Sequence, residues 1–139
     1  MVRDIITDTD ILQRVSKMVY PNAKETMQVI QDLLDTAQEH KDRCVGLAAI
    51  QIGEPVRVFV AFNGESFVPY VNPVIIHRYG EKYETEEGCM SLNGTRKVIR
   101  YDSVQIMHQK GSKFVKDKHT GYYAEILQHE MDHLNGKLI

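Results

Sequence analysis

Cysteine is scarce in this 139-residue chain: Cys44 and Cys89 are the whole complement. The opening MVRDIITDTD is too acidic and too broken in its apolar pattern for a secretory leader. A disulfide-stapled secreted fold is therefore not expected. A reducing cytoplasm is the expected compartment, and each thiol needs its own explanation. Nowhere do 18 apolar residues run together, so no membrane-spanning helix is expected. Neither sign of charge is in excess. Seventeen Lys and Arg against 19 Asp and Glu leave a net charge of −2, which gives no electrostatic footprint for nucleic acid. Repeats, low-complexity tracts and linkers are missing as well. What is present is ordinary for a globular protein: 42% hydrophobic and 26% charged residues. The length suffices to bury one core without a structural metal, so residues 1–139 are expected to form a single domain.

Apolar spacing divides the chain into elements. A short helical turn falls within Thr7–Tyr20 and is broken by Tyr20-Pro-Asn. From Lys24 to His40, Met27, Ile30, Leu33, Leu34 and Ala37 recur at helical spacing and predict an amphipathic helix. Cys44–Ile52 (CVGLAAIQI) reads as a nearly uncharged loop entering a strand, and Val56–Phe62 (VRVFVAF) as a buried strand. Asn63-Gly64 signals a hairpin into a strand over Phe67–Ile76, which Pro69 and Pro73 would place at a sheet edge or interrupt. Lys97–Gln109 and Lys113–Lys118, joined around Gly111, form a further antiparallel pair. A final helix is expected from a Thr120 N-cap to about Asn135, with Gly136 as its stop. The class is α+β, with antiparallel sheet packed around a C-terminal helix.

That last helix, within ILQHEMDHLNGKLI, carries His-Glu-x-x-His. At about 100° per residue, His129 and His133 lie about 40° apart on one face, one turn from each other. Both imidazoles can reach one ion. Glu130 lies about 60° from His133, placed to contact a water beside the ion without ligating it. A catalytic site of this kind needs a third protein ligand and an open position. Cys89 in Glu86-Glu-Gly-Cys-Met-Ser91 is the leading candidate, following Gly88 in what reads as a short loop between strands. A free cysteine is more often a small buried hydrophobe. His77, His108 and His119 stay open as alternatives, each isolated among strand or turn residues.

Three segments in this order and spacing, VGLAAIQ (Val45–Gln51), EGCMS (Glu87–Ser91) and QHEMDH (Gln128–His133), give the chain its resemblance to the peptide deformylases. These hydrolases remove the N-formyl group from new bacterial polypeptides. The resemblance spans about residues 4–139 and is similar to a compact, deformylase-like subgroup of Gram-positive bacteria. It implies Cys89, His129 and His133 as ligands of a divalent metal, with Fe²⁺ the native ion and Zn²⁺, Ni²⁺ or Co²⁺ able to replace it. It implies Glu130 as the acid/base, and Gln51 with the backbone N–H of Met90 as the oxyanion hole. Substrate backbone would pair with Val45–Gly46 and with Gly88, and the partners would be N-formylmethionyl peptides or nascent chains.

The chain departs from the family pattern at three places. Cys44-Val45-Gly46 stands where the family commonly has Gly-x-Gly, so the Cys44 side chain is expected to enter the pocket for the first side chain. Helical spacing puts Tyr122, Glu125 and Ile126 on the border of the same pocket. Met90 replaces the usual Leu, a mild change because its contact would be backbone. No counterpart of the C-terminal helix of longer members follows Gly136, so ribosome docking is not expected. Glu87 and Asp132 are the nearest carboxylates for the ligating histidines, with Arg100 to hold one of them. Two other readings compete with a deformylase. One is a paralogue that binds metal or peptide without catalysis; the other is a zinc endopeptidase, which the Cys89 segment and Gln51 argue against.

Overall fold

The longest element is a strand that composition hides. The computed structural model describes residues 1–139. It contains helices α1 (Thr9–Leu12), α2 (Lys24–Glu39) and α3 (Gly121–Leu134). The strands are β1 (Gly46–Ala48), β2 (Val58–Phe62), β3 (Phe67–Cys89), β4 (Leu92–Lys110) and β5 (Lys113–Thr120), and a 3-10 turn occupies Ala49–Ile52. All five strands form one antiparallel sheet in the order β1-β2-β3-β4-β5. With helices on both faces of this sheet, the fold is α+β, as expected from the sequence.

β2 explains the layering. Its residues VFVAF are buried on both faces: Val58 and Val60 pack with Val29, Leu33 and Ala37 of α2. Phe59 and Ala61 pack with Leu127, Met131 and Leu134 of α3. A strand buried on both sides reads as a continuous apolar run. α2 is amphipathic, but its buried face is Thr26, Val29, Asp32, Leu33, Thr36 and Ala37. Met27 is exposed, so the face is rotated from the one expected. The polar members of that face are buried because they have partners. Thr36 Oγ1 accepts from the Arg3 N–H at 2.8 Å, and Asp32 meets the Arg3 guanidinium at 3.1 Å.

The prolines of β3 act locally as expected, one at a stretch paired on a single side and one at an irregularity, without ending the strand. β2 pairs with Phe67–Val71 and β4 with Val71–Cys89, so Pro69 lies where only one neighbour is paired. Pro73 falls in the register shift between Val71 and Val74, beside Asn72 at φ 49°. Beyond Ile76, β3 continues to Cys89 and β4 begins at Leu92, not at Lys97. This far ribbon is mostly exposed, so it carries no alternating apolar pattern to announce it. Cys89 therefore ends a strand and does not sit in an open loop. At the other end of the chain, Thr120 occupies the N-cap position of α3 without a side-chain cap bond. Gly136 (φ 75°) follows the helix, where a Cβ would run into the Gln13 carbonyl oxygen.

Candidate metal centre

α3 and the end of β3 meet at one point. The Nε2 atoms of His129 and His133 face each other at 3.2 Å, and Cys89 Sγ lies 3.4 Å from His133 Nε2. The three donor atoms all lie within 4.8 Å of one another, with both histidines buried. His77, His108 and His119 are not part of this group. One thiol and two imidazoles leaving a side open fit a divalent transition ion with a free position.

The supports of these donors come from β3 and β4. Glu87 lies two residues before Cys89, on the same face of the strand. Its Oε1 accepts from His129 Nδ1 at 2.8 Å, which fixes the His129 Nε2 toward the centre. Arg100 of β4 grips Glu87 with Nε at 2.9 Å and Nη2 at 2.6 Å, and reaches Asp132 with Nη1 at 2.6 Å. Burial works against the Glu87 carboxylate, but the bonds from Arg100 and His129 outweigh it and hold the group down to about 2. Burial likewise disfavours both histidinium ions. Contacts with Cys89 and Glu87 nevertheless raise the proton affinity of His129, while at His133 burial prevails, with His129 and Arg100 adding to it, and the ring is held neutral.

Glu130 is buried, and its Oε1 has no hydrogen-bond partner. Burial pushes its carboxyl up to about 7, with His129 opposing and Glu87 adding. A Cβ on Gly46 would lie 2.6 Å from Glu130 Oε2, so only glycine leaves room for this side chain. Gln51 is equally enclosed. Its Oε1 accepts from the Ala48 N–H at 3.0 Å, and its Nε2 donates to Ser91 Oγ at 3.1 Å and approaches Cys89 Sγ at 3.5 Å.

In front of these groups opens a cavity of about 450 Å³. Val45, Gly46, Gln51, Gly88, Cys89, Met90, Ile126, His129 and Glu130 line it, as do Tyr122 and Glu125. β1 is the edge strand of the sheet, paired only with β2, so its backbone can take a further strand. Cys44 is the exception among the expected pocket residues. It lies in the core cluster with Val29, Leu33 and Leu47, its thiol donates to the Gly46 carbonyl at 3.3 Å, and it does not line the cavity. Burial pushes that thiol up to about 12.

Sequence reasoning passed over Arg43, Glu86, Leu92 and Asn93, which also line the cavity, and Ser91 and Tyr83 behind it. Ser91 was within reach of it, two residues beyond Cys89. Tyr83 was not, because its strand gave no apolar signal.

Similarity to known proteins extends over nearly the whole chain. The polypeptide deformylase family model matches residues 2–139. The peptide deformylase of Clostridium beijerinckii is 39% identical over 140 residues, covering 100% of both chains. That of Halothermothrix orenii is 37% identical over 132 residues, 92% of this chain and 84% of its own. Among solved structures, the peptide deformylase of Thermotoga maritima superposes with a TM-score of 0.90 at 30% identity, covering 99% of this chain and 95% of that one. The actinonin-bound class I type b enzyme of Acinetobacter baumannii gives 0.89 at 30% identity with the same coverage. A family model matched over residues 2–139, relatives 37–39% identical over nearly the whole chain, and a shared fold show that this chain belongs to the polypeptide deformylase family.

Proposed function

We propose that this chain, a deformylase by family, hydrolyses the N-formyl group of formylmethionyl peptides and nascent chains at the Cys89–His129–His133 centre, as one domain of residues 1–139. The carrying observation is three converging donors beside Glu130, a buried carboxylate with an unbonded oxygen. Cys89, His129 and His133 would hold a divalent ion, which would supply Lewis acidity for activating water and polarising the formyl group. Thiolate and imidazole suit Fe²⁺, our choice for the native ion, and also Zn²⁺, Ni²⁺ or Co²⁺.

The chain's own residues handle binding and protons. The β1 edge at Val45–Gly46, with Gly88 opposite, holds the peptide backbone extended, and Ile126 meets the first side chain. Glu130 takes the proton of the attacking water as the water oxygen bonds to the formyl carbon. Charge collecting on the formyl oxygen is met by Gln51 Nε2 and the Met90 N–H. The Gln51 amide is held through Ala48 and Ser91 and turns its second N–H toward Cys89 Sγ at the centre, so this donor needs little reorganisation. The carbon–nitrogen bond then breaks, Glu130 delivers its proton to the leaving amine, and formate and a free N-terminus depart.

The test is formate release from formyl-Met-Ala-Ser by protein purified without oxygen and loaded with iron. Turnover should vanish on chelation and return with Fe²⁺. Protein that holds one equivalent of metal yet releases no formate from any formyl-Met peptide would replace this reading with that of a binding paralogue.

A further inference from the structure

One wall of the cavity is a single face of α3, made of Tyr122, Glu125, Ile126, His129 and Glu130. A helical turn rises about 5.4 Å, so Glu125 and Ile126 stand one turn outward from His129 and Tyr122 about two turns. An unbranched side chain that followed this helix face from the metal-binding histidines would come level with Glu125 and Ile126. Ile126 offers that side chain an apolar surface. Glu125 offers a carboxylate.

This carboxylate does not trail freely into solvent. The Tyr83 hydroxyl, from the β3 ribbon, donates to Glu125 Oε1 at 2.8 Å and tethers it to the cavity wall. Glu125 is half-buried, and burial, with Glu87 close by, raises its carboxyl above the ordinary range. The other charged groups facing the cavity are Glu86, Glu87 and Glu130, with Arg43 opposing them. Glu87 is engaged by Arg100 and His129, and Glu86 lies on the exposed face of its strand, whereas Glu125 is held by Tyr83 on the cavity wall beside the apolar Ile126.

We propose that Glu125, tethered by Tyr83, determines the preference for the substrate's first side chain, favouring an N–H-bearing or cationic end over an apolar end of equal length. Ile126 keeps methionine acceptable; lysine is the side chain that gains most. The assignment rests on the deformylase reading of the cavity.

Lysine and norleucine share an unbranched stem and differ at its end, so the pair isolates this effect. Formate release from formyl-Lys-Ala-Ser and formyl-norleucyl-Ala-Ser is measured on the metal-loaded parent and on Glu125→Leu, Glu125→Gln and Tyr83→Phe. The lysine-to-norleucine ratio of kcat/KM should fall about tenfold in Glu125→Leu, the size expected for losing a charged hydrogen bond. The change should lie in KM, with kcat within twofold. Glu125→Gln, which keeps shape and one acceptor oxygen, should lose part of the ratio, and Tyr83→Phe less. Calorimetric binding of the unformylated Lys-Ala-Ser and norleucyl-Ala-Ser should show the same ratios without turnover. A ratio unchanged within twofold in both Glu125 variants overturns the assignment. Absence of formate from every peptide would defeat the catalytic reading, and the binding ratios would still decide the role of Glu125.

Discussion

A methyl group at position 46 would stand 2.6 Å from the Glu130 carboxylate, so two residues 84 positions apart constrain each other. Gly46→Ala should displace Glu130 while leaving the metal ligands in place. Deformylation should drop about 10²-fold, the lower end of what a general acid–base group contributes, with metal content unchanged. Equal activity in this variant would mean that Glu130 can shift without consequence. Cys44 calls for the opposite outcome. Because its thiol packs in the core with Val29 and Leu33, Cys44→Gly should cost about 1–2 kcal/mol in denaturant unfolding and leave KM for formyl-Met peptides unchanged. A changed KM would return Cys44 to the pocket. The motif GLAAIQ was legible in the sequence, but which flanking side chain faces the core was not. Facing is set by the β1–β2 pairing of Gly46 with Ala61, which no local pattern displays.

Among the elements, α3 was the most legible. Its His-Glu-x-x-His spacing needs only helical geometry to bring His129 and His133 together, and their Nε2 atoms do face each other at 3.2 Å. The ribbon of β3 and β4 was the least legible, because one of its faces is exposed and the other is half-buried under polar side chains such as Glu87 and Arg100, so no apolar alternation marks it. Its function is plain once seen: it carries Cys89, Glu87, Arg100 and Tyr83 to α3. Arg100 is the element's tie, bonded to Glu87 of the neighbouring strand and to Asp132 of the helix. Arg100→Met would leave Glu87 buried without its cation. We expect a loss of about 3 kcal/mol in unfolding free energy, the scale of breaking a buried ion pair. Metal affinity should fall about 10–100-fold, as when a ligand's outer partner is removed. Full metal affinity in a folded Arg100→Met protein would show that Glu87 orients His129 unaided.

At the scale of the molecule, the sheet separates α2 from α3, and the N-terminal segment ties α2 to the rest. Asp32 is the centre of that tie, with the Arg3 guanidinium and Gln28 bonded to it. Burial alone would raise its carboxyl, but Gln28, the terminal amine and Arg3 bring it below the ordinary value. A carboxylate lowered in the folded state stabilises fully above its unfolded pKa of about 3.9, and that contribution fades as pH falls through the lower folded value. Asp32→Asn should therefore unfold more readily than the parent at pH 7, by about 1 kcal/mol, with the gap closing below about pH 4. A gap independent of pH would assign the loss to packing. No helix is long and apolar enough to cross a membrane. The central claim is that Glu130 moves the proton at a centre held by Cys89, His129 and His133. Its most direct test is paired metal analysis and formate release on the parent and Glu130→Gln. One equivalent of divalent metal is expected in both, with deformylation of formyl-Met-Ala-Ser reduced at least about 10²-fold in the variant. Equal turnover in the two proteins would contradict it.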